Sequence, residues 1–145
     1  MIHLQKTKSM TKTYSELSKL KTFKERYEYL KLSGTVGEET FGHSRYLNQI
    51  FYKTPEWIEA RNKVIIRDEG NDLGILGREI HSNILVHHIE PITLEDILNR
   101  NPKCWDLDNL ITTCMKTHNA IHYGDESLLF LELVERKPND QVPWR

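Results

Sequence analysis

Apolar residues recur at helical spacing in the first third of the chain. A capping box that opens at Thr22 predicts a helix from there to Leu32. Phe23, Tyr27 and Leu30 would then lie on one face of that helix and contribute to a core. We expect this part of the chain to support the fold rather than to supply catalytic residues.

A second helical pattern begins at Thr54-Pro55, where threonine can cap the first turn and proline fits the first helical position. The helix is predicted over 56–68. Trp57, Ile58 and Val64 are among its residues at core-like spacing.

The middle of the chain switches to shorter segments. Two short strands joined by a tight turn are predicted over 79–81 and 83–87. A one-turn helix is predicted over 94–98, and a last helix over 116–122 that stops at Gly124. The pattern as a whole predicts an α+β protein.

Composition adds mild bounds. A chain of 145 residues suits one domain, which we divide into an N-terminal helical extension over 1–50, a core over 51–125 and a C-terminal tail over 126–145 that packs on the core. The formal net charge of −1 means that a DNA-binding face would have to come from local clustering of basic residues. The two cysteines are too few for a disulfide framework, and we see no signal-peptide pattern and no apolar run of about 18 residues. We therefore expect a cytoplasmic protein without a membrane segment.

Histidines carry the candidate chemistry. His118 and His122 are four residues apart, so a helix would place both rings on one face. His87 and His88 are adjacent, and successive strand side chains point to opposite faces unless the strand ends there. A third nitrogen from this pair would give one cation three imidazole ligands and leave positions open, as a catalytic metal site requires.

The same stretch has a longer pattern, whose parts are His87-His88 before Pro91, Asp106-Leu107-Asp108-Asn109, two threonines, and His118-x-x-x-His122. Over about residues 55 to 125 this order resembles the HNH nucleases, in particular the colicin-type bacterial DNase toxins. The resemblance implies a ββα-metal core, in which two strands, a loop and a helix surround one divalent cation. Further stretches are similar to small HNH proteins of phages and prophages of Gram-positive bacteria, namely Thr40-Phe41-Gly42, Arg45-Tyr46-Leu47-Asn48-Gln49, Ile92-Thr93 and the run from Thr117 to Asp125.

The resemblance implies a metal-dependent endonuclease that hydrolyses DNA phosphodiester bonds to 5′-phosphate and 3′-hydroxyl ends. His87, His118 and His122 would hold one divalent cation, and His88 would be the general base, for which a pKa of about 6.5 is suitable. Asn109 would fix the loop against the strand ends. Mg²⁺ or Mn²⁺ would serve in the cell, although three imidazoles also suit Zn²⁺ or Ni²⁺.

The chain departs from many HNH domains where they carry paired cysteine knuckles. The matching slots are Asn71-Asp72-Leu73-Gly74 and Cys114-Met115-Lys116-Thr117, which supply one cysteine of the four that a tetrahedral zinc site needs. We therefore expect no structural zinc, and we expect Cys114 to be a small buried apolar residue.

Three arginines are candidate contacts to DNA. Arg45 lies among amide and aromatic side chains of the types that contact phosphate and sugar, and the resemblance implies that Arg61 and Arg67 reach phosphate. The alternatives are that the apolar residues around Arg45 pack inside while its polar neighbours are solvated, and that Arg67 pairs with Asp68.

Two other functions stay open. A non-catalytic DNA-binding module could keep the fold, although it would not need both His88 and an open coordination position. An accessory protein of a phage packaging machine would instead act through contacts with a terminase, which is compatible with catalysis. Metal-dependent nicking of supercoiled plasmid separates the enzyme from the module.

Overall fold

The computed structural model describes residues 11–32 and 45–130, which form a mixture of helices and a two-stranded sheet. The helices are α1 (Tyr14–Leu17), α2 (Phe23–Leu30), α3 (Arg45–Phe51), α4 (Pro55–Arg67), α5 (Leu94–Leu98) and α6 (Met115–Tyr123), and the strands are β1 (Ile84–His88) and β2 (Leu110–Cys114). Short 3₁₀ turns lie at Asp72–Gly74, Pro102–Cys104, Leu107–Asn109 and Glu126–Phe130. This mixture is consistent with the predicted α+β class. Among the helices of the described ranges, none has the length and apolar character needed to cross a membrane.

Side-chain caps confirm the helix starts that the sequence predicts. At α2, the Thr22 hydroxyl accepts from the Glu25 N–H while the Glu25 carboxylate accepts from the Thr22 N–H. At α4, the Thr54 hydroxyl accepts from the Trp57 N–H, and Pro55 occupies the first helical position. Each cap satisfies backbone donors that the first helical turn leaves without a partner.

The strand pairing differs from the prediction. β1 pairs antiparallel with β2, so the predicted hairpin between 79–81 and 83–87 is wrong. Within the predicted first strand, Glu79 makes an isolated bridge to Asn71. Glu79 and His81 are exposed, whereas the first four residues of β2 are all buried. β1 therefore pairs with the more distant but far more apolar segment.

Two hydrophobic clusters hold the sheet. One joins the N-terminal helices to α6, and its buried members are Leu17, Tyr27, Leu30, Leu73, Ile89, Ile111, Ala120 and Ile121. The other joins α3 and α4 to the segment between the strands, and its buried members are Phe51, Trp57, Ala60, Val64, Ile92, Cys104 and Leu110. Helices α1 and α2, predicted as an extension, thus share a core with the helix that carries His118 and His122.

The end of α6 is fixed by a close approach to the chain after α2. Gly124 has a φ of +64° and stops the helix, as predicted. The Leu32 N–H donates to the Ile121 carbonyl at 2.8 Å. A Cβ at position 124 would collide with the Leu32 carbonyl oxygen, so this contact also requires glycine.

The start of α6 is held by the buried Asp72 carboxylate. Oδ1 accepts from the Cys114 N–H at 3.2 Å, and Oδ2 accepts from the Thr117 hydroxyl at 2.5 Å and from the Cys114 thiol at 3.4 Å. The two segments that lack a full set of knuckle cysteines therefore meet in space and are joined by hydrogen bonds. Cys114 is half-buried and hydrogen-bonded, which corrects the expectation of a simple buried apolar residue.

Replacing Asp72 should reveal how much this anchor contributes. Asp72→Ala leaves the Thr117 hydroxyl and the Cys114 amide without their acceptor, and we expect the free energy of unfolding to fall by about 2–4 kcal/mol. Asp72→Asn can still accept from the amide and donate to the hydroxyl, so it should lose much less. Urea unfolding of both variants measures the difference, and equal losses would contradict the role given to the hydrogen bonds.

The pH dependence of stability gives a second measurement on the same group. Burial raises the pKa of Asp72, although hydrogen bonds from Thr117 and Cys114 oppose the shift. The folded protein then binds this proton more tightly than the unfolded chain does. Stability should fall as the pH rises from the unfolded pKa through the folded one, and Asp72→Asn should remove that component.

Candidate metal centre

His87, His118 and His122 converge where β1 meets α6. One ring nitrogen from each residue lies within 4.8 Å of those from the other two. The ring centroids are 5.4 Å apart for His87 and His118, 5.0 Å for His87 and His122, and 4.4 Å for the two residues of α6. The three predicted ligands are therefore close enough to bind one metal ion.

The surroundings of His87 fit a bound cation. Its side chain is 1% exposed, and both of its ring nitrogens are buried without a hydrogen-bond partner among the described residues. Buried polar atoms normally have a partner because leaving them unsatisfied is costly. A metal ion held by His87 together with His118 and His122 would supply a partner for one of these two nitrogens.

Burial keeps the three rings in the neutral form that binds metal. It lowers the pKa of His118 to about 3 and that of His122 to about 4. The pKa of His87 falls well below its ordinary value, first through burial and then through the two neighbouring imidazoles. At neutral pH no proton has to be displaced from any of the three residues before an ion can bind.

His88 is the last residue of β1 and lies on the other face of the strand. Its ring stacks on Trp57, with centroids 5.1 Å apart and planes 26° apart, and its Nε2 lies 3.0 Å from the Cys104 carbonyl oxygen. A carbonyl oxygen can only accept, so Nε2 carries the hydrogen and the lone pair of the neutral ring lies on Nδ1.

His88 still borders the same small cavity as the three clustered histidines. This cavity has a volume of about 30 Å³, which is enough room for a water molecule. His87 and His88 thus both line this cavity at the end of β1, although their rings lie on opposite faces of the strand. Burial lowers the pKa of His88 to about 4, with partial compensation by the Cys104 carbonyl, so the base is weaker than the value of about 6.5 expected from sequence.

Asn109 ties together two segments that flank His88. Its Oδ1 accepts from the Glu90 N–H at 2.7 Å, and its Nδ2 donates to the Glu90 carbonyl at 3.2 Å and to the Lys103 carbonyl at 3.1 Å. Glu90 follows His88 by two residues, and Lys103 precedes the Cys104 carbonyl that orients the ring. The amide therefore makes the loop-bracing contacts expected of it.

The N-terminal segment also reaches this loop. The Lys12 N–H donates to the Glu90 carboxylate at 2.9 Å. The Ser15 N–H and hydroxyl both donate to Asp108 Oδ1, at 2.8 and 2.7 Å. The N-terminal segment thus holds Glu90, whose backbone binds Asn109, and Asp108, which precedes Asn109.

Arg67 is engaged within the fold. Its guanidinium forms an ion pair with Asp68 at 2.9 Å, donates to the carbonyls of Leu107 and Leu110, and lies 3.5 Å over the Tyr14 ring. The alternative that Arg67 pairs with Asp68 is confirmed. The side chain braces the turn before β2.

The other two candidate arginines differ in position. Arg61 donates from Nη2 to the Ile84 carbonyl at 3.2 Å and borders an open groove beside His118. Arg45 begins α3, and its side chain lies outside the part of the structure that is described.

Three contributors to the site were missed by reasoning from sequence. Trp57 was predicted as a core residue, but it also orients His88 by stacking. The Cys104 carbonyl leaves no signal in a sequence, because every residue has one. Asp72 lies in the segment that matches the first cysteine knuckle. A carboxylate in a segment that lacks the knuckle cysteines was the signal in the sequence that could have identified it.

Comparison of the chain with protein-family models, with curated proteins and with solved structures gave no match. Within residues 11–32 and 45–130, His87, His118 and His122 are the one group of at least three histidine, cysteine or carboxylate side chains placed to share an ion.

Metal binding should stabilise the fold without being required for it, because the two hydrophobic clusters and the Asp72 anchor are independent of the ion. At a free Mn²⁺ or Zn²⁺ concentration of 100 times Kd, the gain should be about 2.7 kcal/mol, seen as a higher Tm than in chelator. His118→Ala should remove most of the increase, whereas His81→Ala, which changes an exposed histidine outside the cluster, should retain it. Complete unfolding in chelator would contradict the expectation.

Proposed function

We propose that this protein is a metal-dependent endonuclease of the HNH type that hydrolyses DNA phosphodiester bonds. The observation that carries the proposal is the cluster of His87, His118 and His122 beside a fourth, non-clustered histidine on the same cavity. The order β1, β2, α6 around that cluster supports a ββα-metal core. Three protein ligands leave a coordination position for substrate, and the fourth histidine supplies a base.

The three clustered histidines would hold the cation. When bound there, a divalent ion would polarise a phosphoryl oxygen and neutralise charge on the leaving 3′ oxygen. We propose Mg²⁺ or Mn²⁺ as the ion in the cell, while the all-imidazole ligand set also suits Zn²⁺ and Ni²⁺.

His88 would take a proton from the attacking water at Nδ1. The water oxygen bonds to phosphorus and the bond to the 3′ oxygen breaks. The 3′ oxygen takes up a proton from solvent, so the products are a 5′-phosphate and a 3′-hydroxyl. The imidazolium formed on His88 keeps its Nε2–H on the Cys104 carbonyl, which favours the charged ring. Stacking on Trp57 holds the ring plane fixed during the transfer.

Contacts to the DNA backbone would come from local basic side chains, because the chain has no overall basic excess. We propose Arg61, which borders the groove beside His118, and Arg45 at the start of α3 for this role. Arg67 is left out because its guanidinium is bound within the fold.

Incubation of supercoiled plasmid with the protein tests the proposal. We expect nicked or linear products with Mg²⁺ or Mn²⁺, and no products with chelator or with His88→Ala. Binding of plasmid without cutting in any metal would instead favour a DNA-binding module. Co-purification of a phage terminase subunit, with or without cutting, would favour the packaging accessory role.

A further inference from the structure

A larger opening lies beside the histidine cluster. It is a mostly apolar groove of about 480 Å³ that is open to solvent. The residues that matter here are Tyr52, Trp57, Ile58, Arg61, Val86 and His118.

The groove is continuous with the candidate metal centre. Tyr52, Val86 and His118 border both the groove and the small cavity that His87, His88 and His122 line. If a molecule bound with a phosphate at the histidine cluster, the part of the molecule next to that phosphate would therefore lie in the groove.

The apolar surface of the groove is partly exposed, and its aromatic rings pack against one another. Ile58, predicted to face the core, is 45% exposed, while Trp57, which also lines the groove, is 4% exposed. The Tyr52 ring packs edge-on against Trp57 at 5.2 Å and against Phe51 at 5.0 Å. A flat apolar group placed here would cover surface that the fold leaves uncovered, at little cost in side-chain ordering.

Charge in the groove complements a phosphate. Arg61 uses Nη2 on the Ile84 carbonyl, and its guanidinium has further N–H donors for an anion. An aromatic and aliphatic floor with a cation beside it matches a nucleotide, in which a flat base is joined to a phosphate diester.

We propose that this groove binds the base of an unpaired nucleotide next to the scissile phosphate. A base within a duplex stack cannot enter a side groove, so the protein would prefer single-stranded DNA or duplex DNA with an unpaired nucleotide to fully paired duplex. This inference rests on the proposed function, because it places the scissile phosphate at His87, His118 and His122.

Binding of defined DNA by the cleavage-deficient His88→Gln variant in Mn²⁺ tests the groove. The probes are a fully paired duplex and the same duplex with one bulged 2-aminopurine, read by anisotropy and by base fluorescence. We expect about ten-fold tighter binding of the bulged duplex, as base stacking on protein side chains would give. The 2-aminopurine signal should change on binding.

Ile58→Asp and Ile66→Asp, each introduced into the same variant, form a matched pair. Both residues lie on α4, but Ile66 is 75% exposed and lies outside the groove. Ile58→Asp should remove the preference for the bulged duplex, and Ile66→Asp should keep it. Ile58→Ala removes most of the apolar contact without adding a charge. It replaces Ile58→Asp in the comparison if Ile58→Asp fails to fold.

The outcomes separate this inference from the proposed function. Equal affinity for paired and bulged duplexes, or equal effects of the two aspartate variants, overturns the groove proposal even if the wild type cuts plasmid. A bulge preference lost only in Ile58→Asp supports the binding of a base in the groove, even if no metal allows cutting and the endonuclease proposal fails. Tighter binding of the matching RNA than of the bulged DNA would overturn the assignment to DNA.

Discussion

His88→Ala should abolish DNA cleavage and leave metal binding at the wild-type affinity. The His88 ring lies on the opposite face of β1 from the ring of His87, and its Nε2 is engaged by the Cys104 carbonyl. Under the proposed function, removing it takes away a proton acceptor but no ligand, and loss of a general base typically costs about 10²- to 10⁴-fold in rate. Calorimetry with Mn²⁺ and initial rates of plasmid nicking measure the two effects separately.

Matched variants make this result specific. His88→Gln can still donate to the Cys104 carbonyl but cannot accept the water proton, so it should be as inactive as His88→Ala while keeping more of the local packing. His118→Ala should bind the ion weakly and recover part of its activity at high metal concentration. If His88→Ala loses the ion and His87→Ala keeps it, the roles of the two residues are exchanged. If both variants cut normally, the HNH interpretation fails.

Asn109 variants should lower cleavage without removing the ion. Asn109→Ala deletes three hydrogen bonds that tie the Glu90 and Lys103 segments together beside His88. We expect a loss of about 10- to 100-fold in rate, the range found when residues that support a metal site are changed. Calorimetry should show nearly unchanged metal affinity, because Asn109 contacts none of the three clustered rings through these bonds.

Asn109→Asp gives the sharper form of this test. The oxygen that replaces Nδ2 would face the carbonyl oxygens of Glu90 and Lys103, which lie 3.2 and 3.1 Å from Nδ2. Repulsion between acceptors should make this nearly isosteric change at least as damaging as Asn109→Ala. Activity close to that of the wild type in Asn109→Asp would show that the amide does not brace the loop.

Local signals in the sequence predicted the helices α2, α4, α5 and α6 and the grouping of the histidines. Capping of α2 by Thr22 and of α4 by Thr54 depends on residues within one turn. The pairing of His118 with His122 follows from the geometry of a single helix. These features could be predicted because each involves residues that are close in the sequence.

Long-range partners could not be predicted in the same way. The choice of β2 as the partner of β1 depends on burial that only the assembled fold provides. The same holds for Ile58, which has apolar helical spacing but faces the groove rather than the core. The orientation of His88 depends on a carbonyl 16 residues away, and no residue type announces such a contact.

The contacts of the N-terminal segment determine how much of the chain must be transferred to place this histidine cluster in another protein. A fragment beginning at residue 51 would carry all four histidines of the site. It would leave behind Leu17, Tyr27 and Leu30, which pack against Ile111 and Ile121, and the Ser15 contacts to Asp108 beside Asn109. Recombination or domain grafting that preserves the cluster would therefore have to transfer α1 and α2 along with the sheet and α6. The segment that would have to be transferred is therefore longer than the histidine motif itself.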